Sequence, residues 1–391
     1  MKKIYFDHNA TTPVLPVVAD FVQPFFSEFF GNPSSIHWAG REVRGYYDDA
    51  RAHVARMIHA KPGEIVFTGC GSESDNHAIK GVAFSRKHRG NHIITTTIEH
   101  PAVLNTCRYL ETMGYKVTYL PVDQAGQIEP DDIRKAIRKD TILITIMYAN
   151  NETGNVLPIH EIGAIAREHD VILHSDMVQA MGKIAIDIGS LNVDLASFAG
   201  HKVYSPKGVG ALYMKEGLDI DNLIHGGQQE GGRRAGTENI IGAIAFGKAC
   251  EIISHDIDGE NKRIEGLRQR LLDGILKRID HVRFNGHQTR RLPNTLNLSF
   301  EFAEAESLLI ALDLEGIAIS SGSACSSGST EPSHVLLAMN IPAETCQSAV
   351  RLSLGRRNTE DDIDYALSVL PDIVERFRAM SPLSKKKMTS S

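Results

Sequence analysis

The sequence predicts an α/β protein with a mostly parallel, seven-stranded sheet in a large domain and a smaller α+β domain after it. The first observation is an alternation of short apolar runs with amphipathic segments between residues 64 and 214. Such βαβ alternation is typical of a parallel sheet covered by helices on both faces. The second is a long helical stretch from residue 239, after which strands return. The third is length, because 391 residues can bury more than one core.

The first half begins with a polar loop and an aromatic helix over 17–30 that Pro24 interrupts, followed by an amphipathic segment over 37–60. Helices are predicted at 73–87, 101–113, 130–139 and 158–169. The seven strands of the large sheet are predicted at residues 64–68, 92–98, 116–122, 141–148, 171–174, 193–198 and 210–214.

The second half starts with a helical region over 239–279 that is predicted to break near Asp258 and Gly259. Strands at 295–300, 318–320 and 350–354 and helices at 305–314 and 360–380 make up the smaller domain. Thr359 is the expected N-cap of the last helix because its hydroxyl can accept a hydrogen bond from the first turn.

Composition excludes several classes of function. The net charge of −6 argues against a nucleic-acid surface, and no apolar run approaches the length of a membrane span. The first residues lack the apolar core of a secretory signal. The five cysteines form no Cys-x-x-Cys pair, so neither a zinc knuckle nor a disulfide framework is expected. These features favour a protein of the reducing cytoplasm.

One stretch carries the strongest chemical signal. Lys202 follows the strand over 193–198, preceded by His201, and glycine and proline then force a turn. Taken alone, a Gly-His-Lys triplet is more often a surface turn. Upstream, however, the strand over 171–174 leads into Asp176. A lysine for an aldehyde and a carboxylate that keeps a ring nitrogen protonated are the two parts of a pyridoxal 5′-phosphate site.

Three further features lie at or near strand ends. Gly71 and Ser72 open a helix, which suits a phosphate but also an ordinary βα turn. His100 follows a strand and is positioned to stack on a planar ring, although a lone histidine at a helix start is common. Gln179 lies three residues after Asp176, where it is expected to donate to a phenolic oxygen of the cofactor.

Two residues of the smaller domain are candidates for work on the substrate. Cys325 lies among glycine, alanine and serine over 320–329, where burial in a core is not expected, so a nucleophilic thiol is the better interpretation. Arg351 lies in a strand, where it either binds a substrate carboxylate or forms a structural salt bridge. The sequence alone leaves those two roles of Arg351 open.

Motifs along nearly the whole chain resemble those of the pyridoxal-phosphate-dependent cysteine desulfurases of the NifS/IscS-like class, within the class V aminotransferase superfamily. The motifs are Tyr5-Phe6-Asp7-His8-Asn9-Ala10-Thr11-Thr12, Gly31-Asn32-Pro33-Ser34-Ser35, Glu73-Ser74-Asp75-Asn76, Glu99-His100, Asn150-Asn151-Glu152, Gly200-His201-Lys202, Arg234-Ala235-Gly236-Thr237, Ser321-Gly322-Ser323-Ala324-Cys325 and Val350-Arg351-Leu352-Ser353-Leu354-Gly355-Arg356.

The resemblance implies fold type I of the pyridoxal phosphate-dependent transferases, in a homodimer. The large domain would span 14–257, the small domain 1–13 and 258–380, and a disordered tail 381–391. It also implies that Lys202 forms the Schiff base with the cofactor, that His100 stacks on its ring, and that Asp176 pairs with the ring nitrogen. The other implied cofactor contacts are Gly71, Ser72, Asn151, Gln179 and His201, with Thr237 reaching in from the second subunit.

For the reaction, the resemblance implies conversion of L-cysteine to L-alanine. Asn151 and Arg351 would hold the substrate carboxylate, and Cys325 would attack the substrate sulfur and carry it as a persulfide. The sulfur acceptor would be a NifU/IscU-like iron–sulfur scaffold, in general cluster assembly or nitrogen fixation, with Cys325 also a candidate cluster ligand shared with that partner. A selenocysteine lyase or aminotransferase is the rival on the same fold, and an iron–sulfur scaffold or metal carrier is the rival outside it.

Three positions depart from the pattern of that class. Ala199 stands where a phosphate-binding serine is frequent, Ser72 where threonine is common, and His8 where asparagine is usual. The first change would remove one hydrogen bond to a phosphate, about 1–3 kcal/mol. None of them alters the lysine, the aspartate or the cysteine.

Overall fold

A computed structural model describes residues 2–321 and 331–381, and it has the predicted α/β architecture. Its strands are β1 Ile4–Tyr5, β2 Ile65–Thr68, β3 His92–Thr96, β4 Lys116–Leu120, β5 Thr141–Thr145, β6 Ile172–Asp176, β7 Leu195–Ala199, β8 Gly210–Met214, β9 Val282–Phe284, β10 Thr295–Phe300, β11 Ile317–Ala318, β12 Ser320–Ser321 and β13 Ala349–Ser353.

Helices alternate with these strands along the part of the chain that the structure describes. They are α1 Pro16–Val22, α2 Trp38–Met57, α3 Gly71–Ser85, α4 Pro101–Thr112, α5 Pro130–Ala136, α6 Ile159–Glu168, α7 Ile188–Leu191, α8 Ile240–Ser254, α9 Ile257–Arg278, α10 Ala305–Leu314, α11 His334–Ala338, α12 Ala343–Cys346 and α13 Glu360–Met380. Among residues 2–321 and 331–381, no helix combines the length and apolar character needed to cross a bilayer.

The large sheet confirms the prediction of seven mostly parallel strands. Its order is β2-β8-β7-β6-β5-β3-β4, and only β8 runs antiparallel to its two neighbours. The strands from β7 through β4 are parallel, so their carboxyl ends meet at one edge of the sheet. Ligands of open parallel sheets bind beyond that edge.

A second sheet has the order β12-β13-β10-β9 and is antiparallel throughout. Near it, β1 pairs in parallel with β11, which places the start of the chain beside a segment more than three hundred residues later. Ile4 and Phe6 are accordingly buried in an apolar cluster whose other members lie between residues 264 and 374. The domain boundaries given above stay a prediction, because several residues between 335 and 349 pack on the larger cluster instead.

Two helix predictions were wrong in detail. The segment after α1 is a separate 3-10 turn, Gln23–Phe26, because Pro24 cannot continue the helix hydrogen bonds. The break in the long helical region lies at residues 255 and 256 rather than at Gly259. Asp256 caps α9 by accepting a hydrogen bond from the Gly259 N–H at 3.1 Å, so that glycine belongs to the first turn.

The predicted N-cap of the last helix is confirmed. The Thr359 hydroxyl accepts a hydrogen bond from the Asp362 N–H at 3.3 Å, and the Asp362 carboxylate accepts one from the Thr359 N–H at 3.1 Å. This reciprocal pair is a capping box, which satisfies two backbone donors at the helix start.

The crossing of α2 and α8 gives a test of the fold. A methyl group built on Gly247 would overlap the Cα and carbonyl oxygen of Ala50 in α2. We expect Gly247→Ala to lower the free energy of unfolding by about 1–3 kcal/mol, since two backbones must move apart. Denaturant unfolding followed by circular dichroism measures the change.

The matched control is Gly266→Ala in α9. No neighbouring atom lies within 4 Å of the added methyl at that position. The helix propensity of alanine should therefore stabilise this variant by about 0.5–1 kcal/mol. Equal stabilisation of both variants would contradict the close contact at Gly247.

Candidate active site

A cavity of about 270 Å³ lies where the parallel strands end, and most of the residues predicted for the site line it. The cavity is bounded by the ends of β6 and β7, the start of α3, the start of α4 and the segment after β1. The predicted residues that line it are Gly71, Ser72, His100, Asn151, Asp176, Gln179, His201, Lys202 and Arg351.

Lys202 and Asp176 are brought together by the pairing of β6 with β7. Asp176 is the last residue of β6 and faces Ser197 across the ladder, and Lys202 follows β7 in the 3-10 turn Gly200–Lys202. The Lys202 ammonium donates to the carbonyl oxygens of Asn9 at 2.6 Å and Ala10 at 2.7 Å. The segment after β1 therefore holds the lysine in the cavity.

The Asp176 carboxylate is one of two buried carboxyl groups in the cavity. Its Oδ1 accepts from the Val178 N–H at 2.9 Å. Burial raises the pKa of Asp176, while the charge of His100, the Val178 hydrogen bond and the charge of Lys202 act in the opposite direction. Burial is the largest of these influences, so the pKa of Asp176 stays raised; the hydrogen bond from Val178 and the charge of Lys202 limit that rise and favour the ionised form, which would hold a ring nitrogen protonated.

The other carboxyl group is Asp75, on α3. It is 1% exposed, and its Oδ1 has no hydrogen-bond partner among the described residues; His174 Nε2 lies 3.6 Å away. Burial, followed by the charge of Asp176, raises the pKa of Asp75 well above its usual range. When two carboxyl groups share a buried site, one keeps its proton, and here that is Asp75.

His100 is the N-cap of α4, and its tautomer follows from that position. Its Nδ1 accepts a hydrogen bond from the Ala102 N–H at 3.1 Å, so the neutral ring carries its proton on Nε2. Burial lowers the pKa of His100, Asp176 opposes that effect, and Lys202 adds to it. The histidine thus offers an N–H to the cavity in its neutral form.

The start of α3 forms the opposite end of the cavity. Cys70 is the N-cap and makes no side-chain capping bond, which leaves the first backbone N–H groups of this helix for another acceptor. A methyl on Gly71 would lie 2.9 Å from Val178, so the glycine keeps this end open. Ala199 also lines the cavity and supplies only a methyl group there.

His201 lies at the same end of the cavity. Its Nδ1 is 3.2 Å from the Thr11 hydroxyl oxygen. Burial, helped by the positive charges of Lys202 and Lys207, lowers the pKa of His201 to about 4. A neutral His201 with a free helix start provides uncharged donors for a phosphate.

Arg351 has one of the two roles that the sequence left open, the structural salt bridge. The side chain is 1% exposed; its Nη2 forms an ion pair with Asp7 Oδ1 at 2.6 Å, and its Nη1 donates to the Asn151 carbonyl at 3.0 Å. Arg351 therefore forms a structural ion pair with Asp7. It also lines the cavity, and its Nε has no partner within the described parts of the chain, so binding of a carboxylate remains a prediction.

One predicted site residue does not line this cavity, and another lies outside the described residues. Thr237 is exposed on its own chain and does not line the site, and its role in a second subunit stays a prediction. Cys325 lies outside the described residues. Within residues 2–321 and 331–381, no group of three or more histidine, cysteine or acidic side chains is placed to hold a metal ion.

Several contributors to the site are not among the residues predicted from the sequence. The carbonyl oxygens of Asn9 and Ala10 are backbone atoms, which every residue type has, so the sequence cannot indicate their role. Asp75 did have a signal, because it lies one helical turn after Gly71 and hence on the same face of α3. The role of Asp7 opposite Arg351 depends on the pairing of β1 with β11. Because β1 has only two residues, it has no sequence pattern from which that pairing could be predicted.

The residues present fit pyridoxal phosphate. The cavity has a lysine amine for an aldehyde, a carboxylate for a ring nitrogen, and a helix start with uncharged donors for a phosphate. The unpaired Asp75 oxygen and the open end at Gly71 are further polar and steric features of a pocket built for a ligand.

The chain is similar to known proteins in both sequence and overall fold. The cysteine desulfurase IscS of Dictyoglomus turgidum is 50% identical over 385 residues, with 98% of each chain covered. A solved structure described as a NifS-like protein is 38% identical, with a TM-score of 0.90 over 96% of this chain and 100% of that one. A structure of SspA in complex with cysteine is also 38% identical, with a TM-score of 0.80 over 90% and 99%.

The family comparison covers almost the whole described fold. The model of the family described as "Aminotransferase class-V" matches residues 4–366, a span that contains every strand from β1 to β13. The chain therefore belongs to the class-V aminotransferase family.

Proposed function

We propose that this protein is a cysteine desulfurase that converts L-cysteine to L-alanine and delivers the sulfur atom to Cys325. The observation that carries the proposal is the cavity in which Lys202, Asp176 and His100 meet beside Arg351. The 50% identity to a curated cysteine desulfurase, over 98% of both chains, supports cysteine as the substrate.

Pyridoxal 5′-phosphate is the cofactor, and when bound it supplies an aldehyde for the substrate amine and a ring that accepts electrons. Lys202 provides the amine that holds this cofactor and, once free, the base that takes the proton from the substrate Cα. Asp176 holds the proton on the ring nitrogen. Gly71, Ser72 and His201 bind the phosphate.

Substrate orientation is assigned to Arg351 and Asn151. The guanidinium is already oriented by Asp7 and by the Asn151 carbonyl, so little side-chain entropy remains to be lost when a carboxylate binds. His100 presents the N–H of its Nε2 and exchanges that proton with the reacting atoms. Because its pKa is lowered, the His100 ring is in its neutral form, which can both donate and accept a proton.

Sulfur transfer is assigned to the Cys325 thiolate. It attacks the sulfur of the bound cysteine; an S–S bond forms, the Cβ–S bond breaks, and the electron pair stays on the carbon, which takes up a proton. The products are L-alanine and a persulfide on Cys325, so no external oxidant is needed. Thiol exchange then passes the sulfur to an iron–sulfur scaffold protein in the cytoplasm.

A homodimer completes the site in this proposal. Thr237 is exposed, and next to it the Ser34 hydroxyl donates to the Glu238 carboxylate at 3.3 Å. This contact joins the Thr237 segment to a group of exposed apolar side chains. Those side chains are Phe26, Phe30, Ile36 and Trp38, exposed by 64%, 63%, 89% and 65%. Exposed apolar side chains on the segment that contacts the neighbour of Thr237 support a second copy as the occupant.

Replacement of Cys325 tests the proposed function most directly. In Cys325→Ser, added cysteine should still change the absorption of the bound cofactor, because binding uses Lys202, Asp176 and Arg351. Alanine formation should fall to background, since a hydroxyl is protonated at neutral pH and is a poor nucleophile towards sulfur. Alanine is measured chromatographically.

The control for this experiment is Cys250→Ala, which removes a fully buried thiol instead. It should retain alanine formation at a rate within about twofold of the wild type, since nothing there touches the site. Alanine production by Cys325→Ser at the wild-type rate would show that the persulfide step is wrong.

Arg351→Lys tests the carboxylate site. A point ammonium does not match a carboxylate as the guanidinium fork does, so KM for cysteine should rise roughly 10- to 100-fold, the equivalent of about 1.5–3 kcal/mol. Cofactor affinity should change much less. Arg268→Lys replaces another buried arginine, 4% exposed, and should leave KM unchanged. An unchanged KM in Arg351→Lys would mean that the residue serves only its ion pair with Asp7.

Subunit mixing tests the dimer. Thr237→Ala should weaken cofactor binding roughly five- to tenfold through loss of one phosphate hydrogen bond. A heterodimer of one Thr237→Ala subunit and one Lys202→Ala subunit, purified with two affinity tags, then contains one intact site if Thr237 acts across the interface. It should reach about half the wild-type activity at limiting cofactor. Activity no higher than that of the Thr237→Ala homodimer would place Thr237 at its own site or at none.

A further inference from the structure

The amide of Gln179 is fixed in one orientation by two neighbours. Its Nε2 donates to the carbonyl oxygen of Asn9 at 3.0 Å, and its Oε1 accepts from the Nζ of Lys183 at 2.6 Å. A backbone carbonyl can only accept, so the nitrogen of the amide must face Asn9. The amine of Lys183 offers its N–H on the other side, where only the amide oxygen can receive it.

One hydrogen of the Gln179 amide is left over. An amide nitrogen carries two hydrogens, and Asn9 takes one of them. The Asn9 oxygen also accepts from Lys202 at 2.6 Å, so both of its lone pairs are used. No described residue accepts the second hydrogen of Gln179, whose side chain is 5% exposed and lines the site cavity. A buried donor in that state needs an acceptor from a bound molecule, and in a cofactor cavity a cofactor oxygen can supply it.

We propose that Lys183 is a positioning residue: it holds the Gln179 amide so that its second N–H donates to the phenolic oxygen of the bound cofactor. This inference rests on the proposed function, because the phenolic oxygen belongs to pyridoxal phosphate. Lys183 itself does not touch the reacting atoms in this proposal. It acts only through the oxygen of Gln179.

The arrangement does not require a charge on Lys183. Burial, followed by the positive charges of Lys202 and Arg351, lowers the pKa of Lys183 well below its usual value. A neutral amine still has N–H bonds and can donate to an amide oxygen. The hydrogen bond to Gln179 therefore persists whichever protonation state the lysine adopts.

Few other groups around Lys183 compete with Gln179 for its hydrogen bond. A cavity of about 20 Å³ borders the lysine, and burial lowers the pKa of His8 on its wall to about 4. That histidine is neutral at physiological pH. The titratable and charged groups near Lys183 in this cavity or through its electrostatic contacts are His8, His201, Lys202, Tyr204, Glu260, Arg351 and Arg356.

The test is a pH titration of the visible absorption of the cofactor-loaded protein. An N–H donated to the phenolic oxygen stabilises its negative charge, so the chromophore loses its proton at lower pH when the donor is in place. Gln179→Met should raise the midpoint by about one pH unit, the equivalent of one hydrogen bond. Lys183→Met and Lys183→Leu should each produce at least half of that shift.

A double-mutant cycle separates positioning from a simple effect of charge. If Lys183 acts through Gln179, Lys183→Met should add no further shift in the Gln179→Met background. A shift of the same size in both backgrounds would overturn the proposal, because a charge effect does not need the amide. Lys61→Met removes an exposed lysine paired with Glu216 and should leave the midpoint unchanged.

The outcome also distinguishes this inference from the proposed function. A wild-type protein that takes up no pyridoxal phosphate would overturn both. The wild-type protein can instead bind pyridoxal phosphate while the Lys183→Met and Lys183→Leu variants titrate as it does. That result would overturn only the role of Lys183.

Discussion

The site depends on the docking of the segment after β1 beneath Lys202. The carbonyl oxygens of Asn9 and Ala10 hold the lysine ammonium, and the Asn9 oxygen also receives the Gln179 amide. Backbone carbonyls cannot rotate away as side chains do, so they fix a long flexible amine at a defined place. The pairing of β1 with β11 in turn fixes the direction from which this segment enters.

The same segment joins the two sheets. The Asp7 carboxylate binds Arg351 in β13, and the Asn9 side chain donates to Thr295 in β10 at 2.9 Å. The Thr12 hydroxyl donates to the His201 carbonyl at 2.9 Å, directly before Lys202. One stretch of main chain thus connects Arg351 with Lys202. In the proposed mechanism, Arg351 holds the substrate carboxylate and Lys202 holds the cofactor.

Burial sets the protonation states of the site more than individual ion pairs do. Burial is the largest influence on Asp75, Asp176, His100 and His201, and in each case it favours the neutral form. For Asp176, the hydrogen bond from Val178 and the charge of Lys202 act together against burial. Of the two carboxyl groups in the cavity, Asp176 is therefore the one whose charged form has more support, and a cationic ring nitrogen would need that charge.

The sequence predicted the parts of the fold that have long apolar patterns. All seven strands of the large sheet and the positions of Asp176 and Lys202 at strand ends followed from βαβ alternation. Strands of two or three residues, such as β1 and β9, carry no periodicity and were not predicted. Lys183 was missed for a related reason: a lysine after a glycine has no pattern, and its importance arises only from the amide that the fold places beside it.

The pairing of the first strand with late elements has a consequence for synthesis on the ribosome. Asn9 emerges early, but its partners Thr295 and Asn294 and the neighbouring strand with Arg351 emerge some 300 residues later. At roughly 5–20 residues per second, the segment waits on the order of 15 to 60 seconds for them. Nascent chains with the whole large sheet complete would still lack the late elements that position the Asn9 and Ala10 carbonyl oxygens against Lys202.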